Sequence, residues 1–152
     1  MEINQKKTEE KHVAYIFYRG YVEDMGKLIG EIVDWMIDQD VKMSGPPYSV
    51  YYTSPKEVLP NDMQYELGIP FKGEASELGK IKIKDIPAQE VIYALNKGPY
   101  NKIGAVYESL MNKIIEEGFQ MVGAPIEIYF NSPMEVSEDE LLTEVQFPIV
   151  KV

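Results

Sequence analysis

The sequence repeats itself. Displaced by 78 positions, residues 13–70 match residues 91–148 at 15 of 58 places without a gap. Among the matches, Tyr15 falls on Tyr93, Gly20 on Gly98, Gly45 on Gly123, Pro47 on Pro125, Tyr51 on Tyr129, Ser54-Pro55 on Ser132-Pro133, Glu66 on Glu144 and Pro70 on Pro148. Turn-forming residues recurring in order imply one backbone route taken twice. The period is too long and too seldom repeated for a solenoid. The expectation is a duplicated supersecondary unit with a pseudo-twofold axis, forming a single domain over 1–152 with repeats at about 3–71 and 80–150. A chain of 152 residues is long enough to bury such a core.

Each repeat carries the same order of signals. β-branched and aromatic runs at 13–18 and 91–95 end at Gly20 and Gly98, as buried strands do. A helix follows. Ile103, Val106, Tyr107, Leu110, Met111, Ile114 and Ile115 recur at three and four with Gly118 as the stop, and Met25, Leu28, Ile29, Ile32, Val33 and Met36 do the same in the first repeat. Gly45-Pro46-Pro47 and Gly123-Ala124-Pro125 then turn into strands at 48–52 and 126–130, and last strands run over 64–70 and 142–148. A proline at the end of each last strand lacks the N–H to continue a ladder. Residues 80–86 alternate as a half-exposed strand, and 3–8 give a weaker signal of the same kind. The order β-β-α-β-β, taken twice, predicts an α+β fold of two main helices on about eight largely antiparallel strands, a duplicated βαββ unit.

Composition excludes several chemistries. Without cysteine there is no disulfide, thiolate nucleophile or cysteine-bound metal, and a single His12 builds neither a zinc site nor the usual serine triad. His12 reads as a surface histidine, and neither metal nor cofactor is expected. The net charge of -10 argues against direct nucleic-acid binding. No signal peptide or membrane span is visible, so a cytoplasmic protein is expected. Ser137 to Glu140 has capping-box spacing and reads as a short helical turn in a surface loop.

Strand parity selects candidate residues. If Ile126, Ile128 and Phe130 meet the helix, Glu127, Tyr129 and Asn131 take the other face, and by the same test Glu144 shares that face with Tyr129. The first repeat places Tyr51 and Glu66 likewise. A glutamate flanked by apolar strand residues needs a partner, and an incoming cation would serve. Eleven tyrosines against five phenylalanines suit such a site. Trp35 sits at the edge of the first helix stripe, where it serves the core or lines a groove.

The order Gly98-Pro99-Tyr100, a helix to Glu117-Gly118-Phe119, Gly123-Ala124-Pro125, residues 129–133, and the final strand Leu142-Thr143-Glu144-Val145-Gln146-Phe147-Pro148 resembles the GyrI-like small-molecule-binding family. That family is related to the effector-binding domains of bacterial multidrug-responsive transcription activators. The resemblance covers nearly the whole chain. It implies a groove for hydrophobic, often cationic, drug-like compounds, with a final-strand glutamate, here Glu144, on the ligand's charge and aromatic walls at Tyr51, Tyr129, Tyr93 and Trp35; Glu66 joins them by the repeat. With no DNA-binding domain ahead of Met1, the expectation is a stand-alone protein that sequesters its ligand. Stand-alone relatives also resemble hydrolases of cyclopropane-bearing electrophiles, for which Glu144 would be the catalytic group. A protein partner, as in transcription co-regulation or gyrase protection, is the third alternative.

Overall fold

The computed structural model describes residues 1–151. Its chain forms two compact units, residues 10–87 and residues 1–9 with 88–151. In the first, β2 (Lys11–Arg19), α1 (Met25–Asp38), β3 (Lys42–Met43), β4 (Tyr48–Tyr51), β5 (Gln64–Lys72) and β6 (Lys82–Ile86) give an antiparallel sheet ordered β4-β5-β2-β6, with β3 against the end of β5. In the second, β1 (Ile3–Lys7), β7 (Glu90–Lys97), α2 (Ile103–Glu117), β8 (Phe119–Met121), β9 (Ile126–Tyr129) and β10 (Leu142–Lys151) give β1-β7-β10-β9, with β8 against the end of β10. Every register in one unit recurs in the other 78 residues away. Val13 faces Lys84 as Val91 faces Lys6, Tyr65 faces Tyr18 and Tyr51 as Thr143 faces Asn96 and Tyr129, and Met43 faces Phe71 as Met121 faces Ile149.

The α+β class and two helices agree with the sequence. The strand count is ten, because β3 and β8 are too short to show an alternation. Nor do Pro70 and Pro148 end their strands. β10 pairs with β9 over 143–146 and with β8 over 149–151, so the proline sits where one partner hands over to the next. Its carbonyl remains useful: Pro148 O accepts from Val122 N at 3.0 Å and Pro70 O from Ser44 N at 2.9 Å.

Each helix buries one stripe. Leu28, Ile32, Trp35 and Met36 of α1 meet Ala14 and Ile16 of β2 and Tyr65, Leu67, Ile69 and Phe71 of β5. Ile103, Val106, Leu110 and Ile114 of α2 meet Ile92, Ala94, Val145, Phe147 and Ile149. The stripe of α2 is narrower than the sequence suggests, since Met111 and Ile115 are exposed. α2 stops at Gly118, whose φ of 73° is the left-handed cap that glycine adopts without cost. The turn at Ser137 forms a 3-10 turn over Glu138–Glu140, but the serine side chain makes no capping bond.

Gly68 is needed for a different reason. A Cβ there would lie 2.7 Å from the Ala14 carbonyl oxygen and 2.7 Å from the Tyr48 ring, and the former is backbone. Gly68→Ala should therefore cost roughly 1–3 kcal/mol in urea unfolding, while Gly30→Ala, on an open face of α1, should add about 0.5–1 kcal/mol.

Candidate functional site

Among the described residues three glutamates are buried in the strands, two answered by lysine and one by hydroxyls. Glu66 of β5 is 3% exposed. It accepts hydrogen bonds from the Tyr48 hydroxyl at 2.6 Å, the Tyr52 hydroxyl at 3.1 Å and Lys84 Nζ at 2.5 Å. The lysine starts on β6, crosses β2 with its ammonium 4.2 Å from the Tyr15 ring centroid, and ends on β5. Burial and the adjacent carboxylate push the Tyr48 phenol well up, and burial, then Glu66, lifts Tyr52 to about 12, so both hydroxyls stay donors.

Glu144 repeats this plan. Lys6 Nζ of β1 lies 2.8 Å from Glu144 Oε2 and 4.2 Å from the Tyr93 ring centroid, and Gln146 Nε2 donates to the same carboxylate at 2.6 Å. Tyr93 is thus brought to Glu144, through the lysine that both touch. The partner that this buried carboxylate needs is supplied by the chain itself.

Tyr129 and Tyr51 are not brought there, and the expected faces are inverted. Thr143 opposes Tyr129 and Val145 opposes Glu127 on neighbouring strands, and opposed residues share a face. Val145 and Phe147 pack on α2, so Glu127 and Tyr129 also face the helix, while Glu144 lies with Ile126 and Ile128 on the opposite side. In the first unit Tyr51 opposes Tyr65 and packs against the α1 core, away from Glu66, which opposes Val50. Trp35 is 3% exposed, edge-on to Phe71 at 5.5 Å, with Nε1 donating to Ser76 O at 3.1 Å, a core residue of the first unit.

The helix face of the second unit holds the third carboxylate. Glu127 is 7% exposed and accepts from the Tyr107 hydroxyl of α2 at 2.5 Å and the Tyr129 hydroxyl at 2.9 Å. Tyr100, in the 3-10 turn leading into α2, stands edge-on to Tyr129 with centroids 6.2 Å apart. Among the described residues no lysine, arginine or histidine pairs with Glu127. Burial therefore raises its carboxyl above the ordinary range, the two tyrosine bonds opposing the shift without cancelling it. Burial and the same carboxylate raise the Tyr100 phenol.

Parity places Glu127 beside Tyr129, but the repeat does not single it out, because Ser49 stands at its position in the first repeat. Tyr107 and Tyr100 likewise replace Ile29 and Val22. His12 is half-exposed, with Nδ1 2.6 Å from Asp85 Oδ1. It lines an open depression of about 520 Å³ with Gln39, Glu74, Ser76 and Ile83, which contains none of the tyrosines or buried glutamates. Among the described residues no cluster of three or more His, Asp or Glu is arranged to hold a metal, and no helix is long and apolar enough to cross a membrane.

The family model of the GyrI-like small molecule binding domain matches residues 1–150. The chain belongs to this family. Among solved structures, this GyrI-like domain is similar to the C-terminal domain of EcmrR, with a TM-score of 0.89 and 24% identity over 99% of this chain and 98% of that one. It covers 58% of the longer EcmrR chain in a DNA complex. It is also similar to a hydrolase from Listeria innocua encoded by lin2189, with a TM-score of 0.69 and 9% identity over 98% and 92% of the two chains. A third likeness is to SAV2435 bound to tetraphenylphosphonium, with a TM-score of 0.65 and 10% identity over 99% and 94%. At these identities the likenesses establish the fold. The sequence has no match among the curated proteins.

A raised carboxyl pKa has a measurable consequence. Between the unfolded and folded pKa of Glu127 the native state binds more protons, so this group's contribution to stability falls as pH rises through that window. Glu127→Gln should therefore stabilise the protein at pH 7, and the gain should shrink below the ordinary glutamate range, as read by thermal melts at both pH values.

Proposed function

We propose that this GyrI-like domain binds a hydrophobic cation on the α2 face of its second unit, with Glu127 as counter-charge and Tyr100, Tyr107 and Tyr129 as walls, and sequesters it unchanged. One observation carries the reading: among the described residues Glu127 is buried, answered by hydroxyls alone, and lacks the lysine that neutralises Glu66 and Glu144. A cation about 4 Å away at an effective dielectric near 20 gains about 4 kcal/mol, and each aromatic face adds about 0.5–2 kcal/mol. Tetraphenylphosphonium on a protein of the same fold is a ligand of this class. Glu66 and Glu144 act in this reading as structural ion pairs.

Hydrolysis is the second reading, favoured by the same residue. A carboxyl whose pKa is raised by burial keeps its proton to higher pH than an ordinary glutamate and can deliver it to a leaving group. Turnover of a strained electrophile, lost by about two to four orders of magnitude in Glu127→Gln, would mark an enzyme. Recovery of the ligand unchanged marks sequestration.

Calorimetry with tetraphenylphosphonium and an uncharged triaryl analogue tests the binding site. The cation should bind more tightly, and Glu127→Gln should weaken it by roughly 10- to 100-fold, on the order of 1.4–3 kcal/mol. Affinity should fall as pH drops through the raised Glu127 range, because the protonated group offers no charge. Glu144→Gln should change affinity by less than about twofold; a large loss there with none at Glu127 would return the site to the opposite face.

A further inference from the structure

The row of side chains facing the start of each helix differs between the units. In the first, Tyr18, Tyr65 and Tyr51 oppose one another across β2, β5 and β4, with centroids 5.6 and 6.0 Å apart. Tyr65 donates to Tyr21 O at 2.9 Å and Tyr18 to Asp24 Oδ2 at 2.5 Å. At the same places in the second unit stand Asn96, Thr143 and Tyr129 on β7, β10 and β9. Two rings have given way to an amide and a small hydroxyl.

The amide has work within the chain. Asn96 Nδ2 lies 3.5 and 3.4 Å from the carbonyls of Gly98 and Pro99, in the turn before Tyr100. The hydroxyl has none: Thr143 is 1% exposed, and among the described residues its Oγ1 has no hydrogen-bond partner. A buried hydroxyl without a partner is a cost that a valine of the same shape would avoid. Thr143 also stands beside the cation site. It is directly opposite Tyr129 and diagonal to Glu127, a separation of about 7–8 Å between neighbouring strands.

We propose that Thr143 is a specificity-determining residue, its hydroxyl forming a second anchor that takes an uncharged hydrogen-bonding group, a hydroxyl, carbonyl or ring nitrogen, carried by the cation that Glu127 holds. The inference rests on the reading of Glu127 as the cation site. A threonine hydroxyl both donates and accepts, so it serves any of these groups, and no charge is required of a group so close to a carboxylate. A preference at this point comes from leaving no polar atom unpaired once the ligand is in place.

The test uses the full chain and two probes, tetraphenylphosphonium and [4-(hydroxymethyl)phenyl]triphenylphosphonium, which differ by one alcohol. Calorimetry on the wild type should show the hydroxymethyl cation binding about 5- to 10-fold more tightly. Thr143→Val should bring the two affinities within about twofold of each other, and Thr143→Ser should keep the preference. Without ligand, Thr143→Val should melt no lower than the wild type. Equal affinities in the wild type, or a preference that survives in Thr143→Val, overturn the second anchor and leave the cation site standing. A lower melting temperature for Thr143→Val makes the hydroxyl structural and overturns it too. Wild type that binds neither cation overturns the cation reading and the anchor built on it.

Discussion

A carboxylate taken out of water must be answered by positive charge or by several hydrogen-bond donors, and the arrangement of each unit follows from how that demand is met. Glu66 and Glu144 occupy the central strands β5 and β10, and the lysines that answer them come from the edge strands β6 and β1. Each lysine spans a whole strand, laying its charge over the tyrosine midway. The edge strand is thereby clipped to the centre of its sheet. For β1, five residues long and half exposed, the clip adds a side-chain tie to the backbone ladder. Because both lysines are more than a third exposed, the pairs are worth less than fully buried ones, and their main effect is on register.

Glu127 cannot be served this way. It lies on the helix side of β9, where Lys6 does not reach, and the donors available to it are two phenols. Hydrogen bonds to a charged group contribute about 1.5–3 kcal/mol each, against a burial penalty of several kcal/mol per ion. The phenols orient the carboxylate without removing its preference for a proton. Among the described residues its charge has no lysine beside it, unlike the charges of Glu66 and Glu144.

Much of the fold was legible because it is periodic. The helix stripes, the stops at Gly98 and Gly118 and the long strands all follow from spacing and turn chemistry. The faces were not, because a one-residue difference in register exchanges them. In β10 the apolar residues Val145 and Phe147 do face the helix, but in β9 the apolar Ile126 and Ile128 turn away from it and the polar Glu127 and Tyr129 turn toward it. Hydrophobicity misleads where a strand turns a polar site toward the helix, and only the register across the 131–141 loop, with Tyr129 opposite Thr143, reveals that this has happened. Trp35, expected at the edge of the helix stripe as core or as an aromatic wall of the groove, is held in the core of the first unit.

If the proposed cation site at Glu127 holds, the repeat itself explains why that site lies elsewhere than the matched residues. Identity between the halves selects what both copies need in order to fold: the turn glycines and prolines and the lysine-clipped glutamates. A site needed once is built from differences. Ser49 becomes Glu127, Ile29 becomes Tyr107, Val22 becomes Tyr100, Tyr18 becomes Asn96 and Tyr65 becomes Thr143. All five differences lie on the helix-facing side of the second unit or in the turn that leads into α2. The first unit fills the equivalent row with three tyrosines, whereas the second carries a carboxylate answered by hydroxyls without a lysine and, among the described residues, an unpaired hydroxyl. Those are costs to stability with no return in the free protein, and concentrating them on one face is what a ligand that supplies both missing partners would require.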